Sequence, residues 1–147
     1  MSIIRGTIQL TCEPGTVFDY VTRPETWVDW YPLTRAVSGT VGRTPRPGET
    51  WHEVIQIGPL RRRAEWRTVR CERPRHFAYD GRGDKGGDAQ ITYAFIEQDG
   101  GTLFRRELHY RYDSALLRLF DALLTRRLIQ RASDRALRNL ARKLSIH

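Results

Sequence analysis

The sequence predicts an α+β domain in which an antiparallel sheet of about six to seven strands packs on one long C-terminal helix. Three observations predict it. Residues 34–112 read as short segments of alternating polarity, punctuated by Gly and Pro. Residues 115–144 hold neither Gly nor Pro and repeat apolar side chains at steps of three and four. The 147 residues are 39% hydrophobic and 29% charged, which fits one domain over 1–147 and excludes disorder or a membrane-spanning design.

The elements follow in order. Residues 3–12 alternate, with Ile4, Gly6, Ile8, Leu10 and Cys12 on one side, which predicts a half-buried strand. Two short helices come next. Pro14 suits the first turn of one, whose apolar face is Val17, Phe18 and Val21. Pro24 starts the second, which carries Trp27, Val28, Trp30 and Tyr31, and Pro32 stops it. Trp51–Ile57 and residues 61–72 are strands joined at Gly58-Pro59, with room for a bulge before Val69. Phe77–Tyr79 follows, then a glycine-rich loop from Gly81 to Asp88. Residues 89–97 and 102–112 form a hairpin across Asp99-Gly100-Gly101. Asp113-Ser114 then supplies an N-cap. Leu117, Phe120, Leu124, Leu128, Ala132, Ala136, Leu140 and Leu144 make one stripe of a helix about 45 Å long.

Charge and cysteine narrow the classes of function. The net charge is +8, and 23 of the 25 basic residues are Arg. Residues 114–147 hold eight basic groups against Asp121 and Asp134, so most of the excess belongs to the long helix. Arg131, Arg135, Arg138 and Arg142 share one face of it, and Arg61, Arg62 and Arg63 follow a turn. The aromatics are not interleaved with these arginines and no reader motif is present, so nucleic acid is not an expected partner. A solvated face, or transient contact with an anionic membrane or an acidic protein, fits better. Leu116, Leu119, Leu123 and Ile129 lie off the main stripe, which leaves a self-association surface, a lipid-contacting gate or a thicker core open. A monomer or a homodimer is therefore expected. Cys12 and Cys71 are isolated, so neither a zinc site nor a disulfide scaffold is expected, and no metal or cofactor. With no secretory signal and no long apolar run, the chain reads as cytoplasmic.

The order of elements resembles the helix-grip fold of the SRPBCC superfamily, which includes START lipid-transfer domains, birch-pollen-allergen-like proteins, and polyketide cyclases and dehydratases. Leu10, Cys12, Pro14, Val17 and Phe18 are similar to the family's opening. Trp27, Trp30 and Pro32 match its tryptophan-proline segment. Pro47-Gly48-Glu49-Thr50-Trp51, Val69 with Pro74, and Tyr93-Ala94-Phe95 leading to Gly100-Gly101-Thr102 match later signatures. The resemblance covers essentially the whole chain. It implies a cavity between curved sheet and long helix, holding an apolar or polycyclic ligand such as a lipid, a polyketide or a quinone-like molecule. The superfamily also contains enzymes, so a polyketide cyclase, aromatase or dehydratase is the alternative.

Extending the alternation inward gives the candidate wall. The last strand turns Phe104, Arg106, Leu108, Tyr110 and Tyr112 in, and its neighbour turns Ile91, Tyr93 and Phe95. Trp51, Glu53, Ile55 and Ile57 face in from the third long segment, Ala64, Trp66 and Thr68 from the fourth, and Tyr79 or Phe77 from the fifth. Phe120 and Leu124 face them from the helix stripe. The expected ligand-binding residues are thus Trp51, Glu53, Ile55, Trp66, Tyr79, Tyr93, Phe95, Arg106, Leu108, Tyr110, Phe120 and Leu124. Glu53 and Arg106 break an apolar set, so they either orient a polar ligand atom, pair with each other, or sit where water reaches them. For an enzyme, Glu53 with Tyr93 is the best acid–base pair and Arg106 the oxyanion stabiliser. His52 and His109 alternate outward, His76 starts a strand and His147 is terminal, so no histidine is expected as base. Gly81-x-Gly83-x-x-Gly86 precedes a strand rather than a helix, so it lacks the helix N-terminus that phosphate cradling needs.

Overall fold

The computed structural model describes residues 2–144. Strand β1 (Ser2–Leu10) leads to α1 (Pro14–Val21), and a 3-10 turn (Pro24–Thr26) runs into α2 (Trp27–Trp30). Six strands follow: β2 (Thr34–Gly39), β3 (Thr50–Ile57), β4 (Leu60–Glu72), β5 (His76–Gly83), β6 (Asp88–Gln98) and β7 (Gly101–Arg111). The C-terminal helix comprises α3 (Ala115–Phe120), a π-helical turn (Asp121–Thr125) and α4 (Arg126–Leu144). Among the described residues the seven strands form one antiparallel sheet in the order β1-β7-β6-β5-β4-β3-β2. The first strand thus pairs with the last, which brings residue 2 opposite residue 110.

Local chemistry sets these elements. The β6–β7 turn places Asp99 and Gly100 at φ 52° and 75°, the two positive values that match a tight turn to strand twist. The β4–β5 register shifts between Thr68 and Arg70, so Val69 is turned out to solvent. The Ser114 side chain accepts the Leu117 N–H and caps α3. Helix α4 lies across β1, where Gly6 leaves room for Leu137: a Cβ there would stand 2.6 Å from Leu137 Cδ1. Asn139 Nδ2 donates to the Trp30 carbonyl at 3.0 Å and ties α4 to α2. Among the described residues no helix is long and apolar enough to cross a membrane.

The helix stripe departs from its sequence reading. Ala132, Ala136, Leu140 and Leu144 are buried as expected, but Phe120 and Leu124 are exposed. The inward track takes a three-residue step from Ala132 to Ile129, so the predicted positions 128, 124 and 120 each fall one residue, about 100°, off the inward face. Ile129, Thr125 and Asp121 take the inward positions instead. A polar cluster holds this turn: Asp121 Oδ1 accepts from Tyr110 Oη (2.5 Å) and Thr125 Oγ1 (2.6 Å), and Oδ2 accepts from Ser2 Oγ (2.6 Å). Leu116, Leu119, Phe120, Leu123 and Leu124 are left on the outer surface. The glycine-rich loop is also shorter than expected, because Gly81–Gly83 extend β5 and pair with Trp66–Ala64 of β4.

Candidate functional site

The sheet's inner face and α2 line a half-open cavity of about 130 Å³. Period-two alternation aims its wall. Arg106 and Tyr110 come from β7, Tyr93 and Ile91 from β6, Tyr79 from β5, Trp66 and Ala64 from β4, and Glu53, Ile55 and Ile57 from β3. Trp27, Trp30, Tyr31 and Leu33 close one side, while α4 contributes Ile129. The exposed Arg63, Arg82 and Arg111 mark its mouth, and Arg62, Gly83, Gly86, Gly87, Asp88 and Tyr112 complete the lining.

Of the predicted ligand-binding residues, Glu53, Ile55, Trp66, Tyr79, Tyr93, Arg106, Leu108 and Tyr110 line this cavity. Four do not. Trp51 is fully buried behind the wall, with the rings of Trp27 and Tyr79 at 6.0 and 5.3 Å. Phe95 lies under α1, packed on Phe18 (5.1 Å) and Phe104 (5.2 Å). Phe120 and Leu124 are turned outward by the rotation of the helix stripe. The wall gained in exchange is aromatic: Trp27 and Trp30 of the short second helix, with Tyr31 just after it. Two tryptophans three residues apart, followed by Tyr31, were the available signal. A four-residue helix is too short for periodicity to say which face they take.

One end of the cavity is polar. Glu53 is buried and accepts from Thr34 Oγ1 (2.5 Å) on Oε2 and from Trp66 Nε1 (2.9 Å) on Oε1. Thr34, on edge strand β2, was not anticipated. Burial pushes the Glu53 pKa up, against the pull of these two donors and of Arg106. Tyr79 and Tyr93 share a hydrogen bond between hydroxyls at 3.1 Å, and burial raises both pKa values. The guanidinium carbon of Arg106 stands 4.6 Å from the centroid of the Tyr31 ring, a cation–π contact. Glu53 and Arg106 line the same cavity without an ion pair between them, and Glu53 and Tyr93 share no hydrogen bond, among the described residues. The histidines lie elsewhere: His52 bonds Glu65 at 3.1 Å, His109 bonds Glu107 at 2.5 Å, and His147 is outside the described residues.

Glu53 makes stability depend on pH. Its folded pKa lies above the usual 4.5, so its favourable contribution is complete below pH 4.5 and is lost as pH rises through the folded pKa. Glu53→Gln keeps both hydrogen bonds, since the amide oxygen accepts from Trp66 and the amide nitrogen donates to Thr34. The variant is expected to be more stable than wild type at neutral pH, with the gap closing below pH 4.5. Melting temperatures measured across pH check this. A gap that widens on acidification would contradict it.

The comparisons with known proteins agree with this architecture. Protein TTHA0849 from Thermus thermophilus is 15% identical, covers 97% of this chain and 97% of its own, and superposes with a TM-score of 0.79. A START superfamily protein from Mycobacterium smegmatis is 12% identical over 97% of this chain and 93% of its own, with a TM-score of 0.69. The Aha1 dimer from Colwellia psychrerythraea is 13% identical over 99% and 98%, with a TM-score of 0.66. At these identities the likeness is one of fold: an antiparallel sheet gripping a long C-terminal helix, as in the SRPBCC superfamily. No curated protein sequence matches the chain. Residues 1–145 match the family described as polyketide cyclase / dehydrase and lipid transport, and the chain belongs to that family.

Proposed function

We propose that this protein binds or carries a small hydrophobic ligand in the cavity of the sheet. The supporting observation is the lining itself: an apolar, mostly aromatic wall with a few converging polar groups, the usual composition of a small-molecule site. Membership of a family that spans polyketide chemistry and lipid transport supports the same reading. A neutral apolar fluorophore, N-phenyl-1-naphthylamine, is expected to bind saturably with one site per chain. Trp66→Ala is expected to weaken that binding about tenfold while leaving the far-ultraviolet circular dichroism unchanged. Fluorescence titration checks both, and linear, unsaturable binding to wild type would contradict the reading.

A second reading, a cyclase-, aromatase- or dehydratase-type enzyme, draws on one observation: Glu53, Tyr93 and Arg106 line one cavity. Burial favours proton-bearing forms of the first two. In that case Glu53→Gln abolishes turnover and leaves ligand affinity intact. The proposal also includes transient contact of Arg61, Arg62, Arg63 and the C-terminal helix with an anionic membrane or an acidic protein. It is supported by the exposed apolar residues Leu116, Leu119 and Leu123 with Arg118, Arg126 and Arg127 close by in the chain.

A further inference from the structure

We propose, resting on the reading that the cavity holds a ligand, that this ligand is a compact planar acid: an aromatic ring between the aromatic walls, with its carboxylate on Arg106. The charge of the cavity carries the inference. Arg106 is 3% exposed, and its guanidinium stays protonated in any protein environment. Among the described residues no carboxylate lies within ion-pair distance of it. Its Nε and Nη1 make no hydrogen bond. A buried cation without a counter-ion is strongly disfavoured, and the ring of Tyr31 and the hydroxyl of Tyr93 offset only part of that cost.

Glu53 does not fill the gap. Its oxygens accept from Thr34 and Trp66, and among the described residues neither lies within ion-pair distance of Arg106. Arg106 is therefore a buried cation with no carboxylate in contact among the described residues, and an anionic ligand would supply one. The hydroxyls of Tyr79 and Tyr93 hold two protons and use one between them, so one O–H remains for an incoming oxygen. The approach is also basic: Arg62, Arg63, Arg82 and Arg111 outnumber Asp88 in this part of the lining, and Arg62 and Arg63 make no ion pair among the described residues. Such a mouth draws anions in.

Size and shape select the body of the ligand. An apolar cavity of about 150 Å³ takes up benzene. The space here, about 130 Å³ and open at its mouth, holds a single ring wholly inside, while a larger probe extends through the mouth. Tyr31, Trp66, Tyr79 and Tyr93 line it, and an aromatic wall favours a planar guest over a coiled alkyl chain.

The test compares 4-ethylbenzoate, 4-ethylbenzyl alcohol and decanoate by NMR titration at pH 7, on wild type and on Arg106→Met. Wild type is expected to bind 4-ethylbenzoate at least tenfold more tightly than the alcohol and more tightly than decanoate. Arg106→Met is expected to lose the preference for the acid while still binding the alcohol. Alcohol binding equal to or tighter than acid in wild type overturns the inference and leaves the cavity reading intact; this arm stands even where Arg106→Met fails to fold. A preference for the acid that persists in Arg106→Met also overturns it, since the anion then sits on other arginines. Tighter binding of decanoate overturns the compact planar part. No saturable binding of any of the three overturns both the inference and the reading beneath it.

Discussion

Gly81→Ala is expected to be among the most damaging single-methyl additions to this protein. Gly81 sits in β5 directly opposite Trp66 of β4. A Cβ at this position would stand 2.1 Å from the Glu65 carbonyl oxygen and 2.6 Å from Trp66 Cε3. The first of these is backbone, which moves only if β4 and β5 part. Overpacking of this kind costs about 3 kcal/mol, or a fall in Tm of roughly 10 °C for a chain of this size. The effect reaches the cavity, because the displaced indole is the one that donates to Glu53. Binding of N-phenyl-1-naphthylamine should therefore weaken along with stability. Gly42→Ala is the control: a Cβ there meets nothing nearer than Glu25 Oε2 at 3.9 Å, and its stability should stay within about 0.5 kcal/mol of wild type. Equal melting temperatures for the two variants would show that close strand approach at Gly81 is not what the fold requires.

Asp121→Ala is expected to cost about 3 kcal/mol as well. The carboxylate collects three hydroxyl hydrogen bonds, from Tyr110, Thr125 and Ser2, on the turn where the helix changes pitch. Deleting it leaves the buried hydroxyls of Tyr110 and Thr125 without their acceptor. The damage should be local, because no side chain of α3 is buried and little else holds that half of the helix to the sheet. Amide hydrogen exchange should quicken across residues 115–125 and stay slow in α4, whose Ala136, Leu137 and Leu140 are buried. Asp121→Asn keeps one acceptor oxygen and should lose about 1 kcal/mol. Uniform acceleration along the whole helix would contradict a local latch.

The fold was legible wherever one physical rule acted alone. Asp99-Gly100 announces its turn because few residue pairs accept two positive φ values, and the alternation of β7 announces that Phe104, Arg106, Leu108 and Tyr110 face in. Sequence reading failed where two rules competed. Along the helix, apolar spacing pointed to Phe120 and Leu124, whereas hydrogen bonding to Tyr110 and Ser2 draws Asp121 and Thr125 inward. In the cavity, strand alternation placed Trp51 and Phe95 on the correct face. Which inward residues reach open space depends on what covers them, and α1 and α2 cover those two. Trp30 and Tyr31 entered the wall unannounced for the same reason. Glu53 and Arg106 were recognisable as charges on an apolar face, but their partners were not: Thr34 lies on a strand whose own pattern says little.

The proposed ligand would occupy the space beside Trp66, and the indole N–H signals report on that space directly. In a ¹H–¹⁵N spectrum titrated with N-phenyl-1-naphthylamine, the Trp66 indole signal, now held by Glu53, is expected to show the largest saturable shift. Ala64→Phe, which places a ring in the cavity from the neighbouring inward position of β4, is expected to abolish the shift while the remaining spectrum stays dispersed. Saturable binding with the Trp66 indole silent, or binding undiminished in Ala64→Phe, would place the ligand outside the cavity and contradict the account.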